Sequence, residues 1–419
     1  MILSKSSRKY IQFIMKYYNN IHPLNKKDEE LLEKIYDQIH ASYKYLKLLK
    51  KKDKNIVYKK QYLKINYFEQ IPKPTTFNPT AFPQNMRTYI DETMEHLITY
   101  DISLMDMNIK IHFVIEKMNN DMTLSKYDSY IDKIIQWLYI VNKYANNKCV
   151  KDLTIYFYLT SLKKRLPVTS IDILGEKHMN TAFTYSCPVN MNAEIIIYRQ
   201  EEWFKVFIHE TFHTFGLDFS GIRHSLADCN KEILSIFKVK SDVNLYEAYA
   251  EFWAKIFNAG FCAYHIIDKK DDIHSFVTKY HILITWEKDY TTYQMVKILN
   301  FLGLTYKNLY SSSKYAGVLR DNLYKENTNV LAYYIINAVL LNNYTYFLEW
   351  CDKNNIHFFQ FKQTTGNLNK LCDFIKKKYK DINMLSNVEK TENILNNIKN
   401  TKKNEDILMN TRMTLCELL

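Results

Sequence analysis

Between Asp28 and Leu49 apolar residues recur at Leu31, Leu32, Ile35, Ile39 and Tyr43. Spacings of three and four mark one face of a helix, and residues 1 to about 70 read as helical on this pattern. Pro72, Pro74, Pro79 and Pro83 then fall within twelve residues. Proline excludes both a regular helix and a central strand, so this segment is a connection. Beyond it the period changes. Ile109 to Ile115 alternates with period two, and Leu153 to Leu159 (LTIYFYL), Ala182 to Cys187 and Glu194 to Tyr198 are further strand candidates. A helical run from Tyr130 to Tyr144 follows Ser125 and Asp128, which have capping-box spacing. A second helix runs from about Glu201 to Phe215. The order strand, helix, strand, strand, strand, helix predicts an α+β fold with a small, twisted mixed sheet.

After Gly221 the pattern is helical almost throughout, and no proline occurs beyond Pro188. Asn327 to Leu348 is uncharged over the length of a membrane span, but it contains five asparagines and only its middle is mostly apolar. It reads as a buried core helix, and no membrane span is expected. From about Gln363 the chain is rich in Lys and Asn with weak periodicity. These shifts divide it at 1–84 (helical, ending in the proline-rich connection), 85–220 (sheet and helix), 221–362 (mostly helical) and 363–419 (a peripheral tail).

Composition changes this picture little. The 419 residues carry a net charge of +12, spread thinly, and the densest basic stretch, Lys44 to Lys64, reads as a solvated helix face. No nucleic-acid partner is predicted. Seven cysteines, an odd number with no C-x-x-C pair, form neither a disulfide framework nor a zinc ribbon and predict a reducing, intracellular compartment. Arg8 and Lys9 interrupt the apolar character of Met1 to Asn20, so no signal peptide is expected. Sequence leaves the oligomeric state open.

The chemistry concentrates in VFIHETFHTFGLDFS. His209-Glu210-Thr211-Phe212-His213 is an H-E-x-x-H pattern. Four residues is just over one helical turn, so both imidazoles leave one face and reach one zinc ion at about 2.0–2.1 Å each. Glu210 stands beside the metal, where it can take a proton from the attacking water and pass it to a leaving amine. With twelve histidines in the chain, chance would produce the pattern in roughly one or two such chains in a hundred. Context adds weight: the helix is otherwise apolar, and Gly216 sits where a C-cap glycine would end it.

A third protein ligand is required. In NLYEAYAEFWA, Glu247 and Glu251 are one turn apart on an aromatic helix. Glu247 is the leading ligand, which leaves Glu251 to accept the other ring N–H of a ligand histidine. Asp218, His224 and Asp228 remain alternatives. Transition-state help needs a hydrogen-bond donor. Tyr334 is the choice, with Tyr333 and His265 as alternatives, against the plain reading that both tyrosines pack in the core.

H-E-x-x-H on one helix and E-x-x-x-E on a later one resemble the gluzincin group of zinc metallopeptidases, the thermolysin-like branch, over roughly residues 105 to 260. The resemblance implies a zincin-like catalytic domain with an active-site helix, Zn2+ as cofactor and a peptide or protein as substrate. It also implies Glu210 as general base, Glu247 as third ligand and Glu251 as the acid behind the ligands. Asn180 to Tyr198 would supply the strand along which a peptide pairs. The Lys-, Asn- and Tyr-rich style is similar to that of large DNA viruses, which would place the protein in host cytoplasm or virion. Two departures stand out. Thirty-three residues separate His213 from Glu247, a longer gap than the pattern usually has, so residues 217–243 must form an inserted loop or helix. In the metzincin pattern the last ligand position falls on Phe219. The expected function is zinc-dependent peptide hydrolysis. The competing one is a non-catalytic, structural or virion-associated protein that keeps the zinc site, and the intact Glu210 speaks for the first.

Overall fold

The computed structural model describes residues 3–18, 21–52, 57–77, 82–116, 124–145, 148–398 and 405–417, without the side chains of residues 52 and 223–225. Its first part contains α1 (Lys5–Tyr17), α2 (Lys26–Lys52), β1 (Lys59–Lys64), α3 (Gln84–Thr93), β2 (His96–Leu104) and β3 (Met107–Ile115). Next come α4 (Ser125–Asn142), β4 (Asp152–Leu159), α5 (Glu176–Met179), β5 (Ala182–Thr184), β6 (Asn192–Ile197) and α6 (Trp203–Thr214). The remainder is helical: α7 (Arg223–Ile236), α8 (Leu245–Ile266), α9 (Ile273–Phe301), α10 (Tyr306–Tyr310) and α11 (Lys314–Leu323). A π-helical stretch (Leu331–Ile336) then runs into α12 (Asn337–Asn342), followed by α13 (Tyr344–Asn354), α14 (Thr365–Lys378), α15 (Ile382–Ile398) and α16 (Glu405–Met409).

The chain separates into two compact units, one of residues 35–163 and 181–217, the other of residues 1–34, 164–180 and 218–419. In the first, the described strands form one six-stranded mixed sheet in the order β1-β2-β3-β4-β6-β5. β1, β2 and β3 pair antiparallel, β3-β4 and β4-β6 parallel, and β5 closes the far edge antiparallel to β6. Alternation assigns the two faces. Phe157 of β4 meets Trp203 and Phe207 of α6. Tyr156 and Tyr158 point the other way, into a cluster with Ile71, Phe82, Met86, Ile90 and Met94.

Glu194 on β6 fastens the proline-rich connection to this second face. Its carboxylate accepts the amides and hydroxyls of Thr75 and Thr76 and the hydroxyl of Tyr156. Burial pushes its pKa up, but the Thr76, Thr75 and Tyr156 hydrogen bonds outweigh it and hold the group below its ordinary range.

In the second unit α8 is buried on nearly every side and packs on α9, as does α12. A disulfide joins Cys229 of α7 to Cys372 of α14.

Several expectations change. Residues 59–64 are not helix: β1 is an exposed, polar edge strand with no apolar stripe to betray it, so the basic stretch from Lys44 to Lys64 contains strand as well as helix. The predicted capping box does not form at α4, whose N-cap is Leu124. Asp128 instead accepts from Lys60 Nζ and the Tyr100 hydroxyl, partners that no local pattern displays. Pro79 lies outside the described residues. The end of the chain is no peripheral tail: Leu368, Leu371, Cys372 and Ile375 face the core, and Thr411 to Cys416 are buried. The uncharged segment is the expected core helix, with Val330 to Ile336 interior apart from Tyr333. No described helix is long and apolar enough to cross a membrane.

Candidate metal centre

α6 places both motif histidines. All twelve of its residues are buried, and its small polar side chains are tied locally. Thr211 donates to the Ile208 carbonyl and accepts the Trp137 indole N–H from α4 at 2.7 Å. Thr214 donates to the Glu210 carbonyl and meets Thr184 of β5. The helix ends where the glycine predicted: Gly216 adopts φ +65°. Its N–H donates to the His213 carbonyl at 3.1 Å, and the Leu217 N–H reaches the Phe212 carbonyl at 2.9 Å, the paired bonds of a Schellman cap. The His213 carbonyl also receives the Cys187 N–H and the Ser186 hydroxyl. A disulfide from Cys187 to Cys149 ties that segment down. Both disulfides depart from the sequence expectation, because spacing alone does not reveal which cysteines the fold brings together.

His209 and His213 turn their Nε2 atoms toward each other at 3.2 Å, and Glu210 between them is 8% exposed. Two ligands of a tetrahedral zinc ion with bonds of about 2.0–2.1 Å stand roughly 3.4 Å apart. The observed separation is close to that.

α8 carries the acidic residues. Glu247 lies in its first turn and accepts a hydrogen bond from the Tyr333 hydroxyl at 3.2 Å. Burial first, then the charges of Glu247 and Asp218, push the Tyr246 hydroxyl above its ordinary range. One turn on, Glu251 is 1% exposed and lies 3.8 Å from Lys255. One donor atom from each of His209, His213 and Glu247 lies within 4.8 Å of the others, so the three could hold a metal ion.

The alternatives separate from that set. Asp218 accepts the backbone N–H and hydroxyl of Ser220 in a tight turn. Asp228 is exposed and pairs with Lys231. The His224 side chain lies outside the described residues. His265 stands eighteen positions after Glu247 on the same helix, about 27 Å along its axis. Tyr334 is also displaced: its hydroxyl donates to the Thr411 carbonyl at 2.6 Å, and Tyr333 takes the place beside Glu247.

Both tyrosines lie in the π-helical stretch. Glu326 holds its start by accepting the N–H groups of Val330 and Leu331. The predicted cap, Thr328, donates to Asn180 instead. Burial pushes the Glu326 carboxyl up to about 7, more than the hydrogen bonds from Tyr324, Ser241, Val330 and Leu331 pull it down. Tyr333 was weighed from the sequence only as an alternative to Tyr334, and the Lys255 contact was not singled out. Lys255 could have been, since it extends the Glu247–Glu251 spacing by one more turn. In comparison with known proteins, no family model, no curated protein and no solved structure matches the chain.

Proposed function

We propose that the chain is a zinc-dependent peptidase in which His209, His213 and Glu247 hold the ion and Glu210 is the general base. The grouping of these three donors carries the reading. Two imidazoles and one carboxylate suit zinc, and three protein donors match a catalytic site with its fourth position open rather than a closed structural one. When bound, zinc would supply Lewis acidity and bring the pKa of water to about 7. Glu210, adjacent to His209 and set in a nearly buried helix, takes the proton of the attacking water and returns it to the leaving amine. The Tyr333 hydroxyl, beside Glu247, orients that carboxylate. A peptide substrate in extended form would add to β5, the terminal strand of the sheet.

The test is metal content together with turnover on a peptide library. Wild type should hold one zinc per chain and His213→Ala should hold none. Glu210→Gln should keep the metal and lose about 10²–10⁴-fold in turnover. Equal zinc in wild type and His213→Ala would sink the ligand assignment. Equal cleavage by wild type and Glu210→Gln would sink the mechanism. Bound zinc with no peptide cleaved by either protein would favour the non-catalytic zinc protein.

A further inference from the structure

Within the second unit, α9, α13 and α15, together with Tyr18 and His22, wall a cavity of about 550 Å3. That is within the size range of small-molecule sites. One face of α9 supplies His281, Thr285, Lys288 and Asp289 at helical spacing.

The first part of this face is satisfied from within the protein. The His22 carbonyl can only accept, so His281 Nε2 carries the proton and donates to it at 2.7 Å. His281 Nδ1 then accepts the Tyr344 hydroxyl at 3.1 Å. The far part is not. The Asp289 side chain is 7% exposed, and Lys288 Nζ stands 3.4 Å from its Oδ1. Asn387 Nδ2 donates to the same oxygen at 3.1 Å, and Asn387 is steadied by Thr292 and Asn342. Among the described residues Asp289 Oδ2 accepts no hydrogen bond. Lys390 lines the same cavity, with its Nζ over the Tyr18 ring. Burial pushes the Asp289 carboxyl above its ordinary range, more than Lys288, Asn387 and Lys390 pull it down.

A buried carboxylate kept only for structure ordinarily has its oxygens bonded, and a charge-assisted contact closes to about 2.7–2.9 Å. Here one oxygen is spare and the lysine contact is looser, so the group has capacity for a ligand. Two ammoniums and one carboxylate around one cavity suit a molecule that carries both signs. A phosphate ester would bring a charge of about −1.5 to −2 beside Asp289, and a simple cation would meet two lysines. We propose that the cavity binds a free α-amino acid as its zwitterion. Its ammonium donates to Asp289, its carboxylate lies between Lys288 and Lys390, and its side chain takes the remaining volume. The site goes beyond the peptidase reading and does not depend on it.

The test is calorimetric titration of the full chain with a panel of free amino acids, with and without EDTA. At least one should bind saturably in both conditions. Its N-acetyl derivative lacks the ammonium and its amide lacks the carboxylate, and each should bind about 10–100-fold more weakly. Lys390→Gln, at a partly exposed position, should weaken the free amino acid about 10-fold. Asp289→Asn should weaken the free amino acid but leave the N-acetyl derivative as in wild type. If Asp289→Asn does not fold, the Lys390 variant and the two derivatives carry the test. No saturable binding by any amino acid overturns the proposal, as does equal affinity for the free and derivatised forms or unchanged affinity in Lys390→Gln. Two further results also overturn it: binding lost with EDTA assigns the ligand to the metal centre, and binding of glucose 6-phosphate but of no amino acid assigns the cavity to a phosphate ester.

Discussion

Tyr333 and Tyr334 are neighbours in the chain, yet their hydroxyls serve different ends. Tyr333 donates to a carboxylate, Glu247 Oε2, and Tyr334 to a backbone carbonyl, Thr411 O. Hydrogen bonds to charged groups are the stronger kind, and losing one frees Glu247 to rotate. Tyr333→Phe should therefore weaken zinc by about 10-fold, the lower end of what outer partners contribute, with little change in melting temperature. Tyr334→Phe should do the reverse. It leaves a buried carbonyl without this donor, at a cost of about 1–3 kcal/mol, while zinc affinity stays as in wild type. Chelator competition and thermal melting on both variants separate the two, and an equal zinc effect would refute the distinction. Residue identity alone could not have made this choice. It depends on which side each tyrosine presents in the folded unit, where Glu326 holds the start of the π-helical stretch that carries both.

At the scale of elements, the motif helix depends on how its last turn is closed. A Cβ on Gly216 would stand 3.1 Å from Cys149 Sγ, and φ +65° is strained for any L side chain. Gly216→Ala should cost about 1–2 kcal/mol, seen as an earlier denaturation midpoint. The Cys149–Cys187 bridge closes 38 residues, worth about 4 kcal/mol in the chain-entropy account. Its removal should matter more than the glycine substitution, and the opposite ranking would refute this view of the cap. What could be read from sequence at this scale was what local pattern controls. β3, β4, β6 and α6 were located, and Gly216 was placed as the cap, because period and turn chemistry are local. β2 was legible too, since Ile98, Tyr100, Ile102 and Leu104 alternate and are buried, but the reading assigned no element there. β1 was not legible, because an exposed edge strand has no buried face to write into its sequence. The disulfides, the Glu194 latch and the hydrogen bonds from Leu415 and Cys416 to Glu287 join residues far apart in the chain, and no local pattern encodes them.

At the scale of the whole molecule, three buried carboxylates, Glu287 and Glu326 in one unit and Glu194 in the other, answer acid in opposite ways. Glu287 and Glu326 sit in the helical unit, both pushed from 4.5 up to about 7, chiefly by burial. Between those values the folded state keeps protons that the unfolded chain has released, so each group lowers stability as pH rises through that window. At about 1.4 kcal/mol per pH unit the ceiling is about 3 kcal/mol for each. Glu194, in the sheet unit, is held below 4.5 by its hydrogen bonds. Its contribution is present above 4.5 and is lost as pH falls through the folded-state value. Replacing Glu326 by Gln should therefore stabilise the helical unit relative to wild type by an amount that grows by about 2–3 kcal/mol between pH 4.5 and 7 and is constant above. Replacing Glu194 by Gln should destabilise the sheet unit at pH 7, with the difference shrinking below pH 4.5. Urea unfolding of metal-free protein at several pH values, read by pulse proteolysis with fragments assigned to each unit by mass spectrometry, resolves both slopes. Two variants with the same sign of pH dependence would show that hydrogen bonding does not outweigh burial at Glu194, and the latch on the proline-rich connection would then be weaker than its five donors imply.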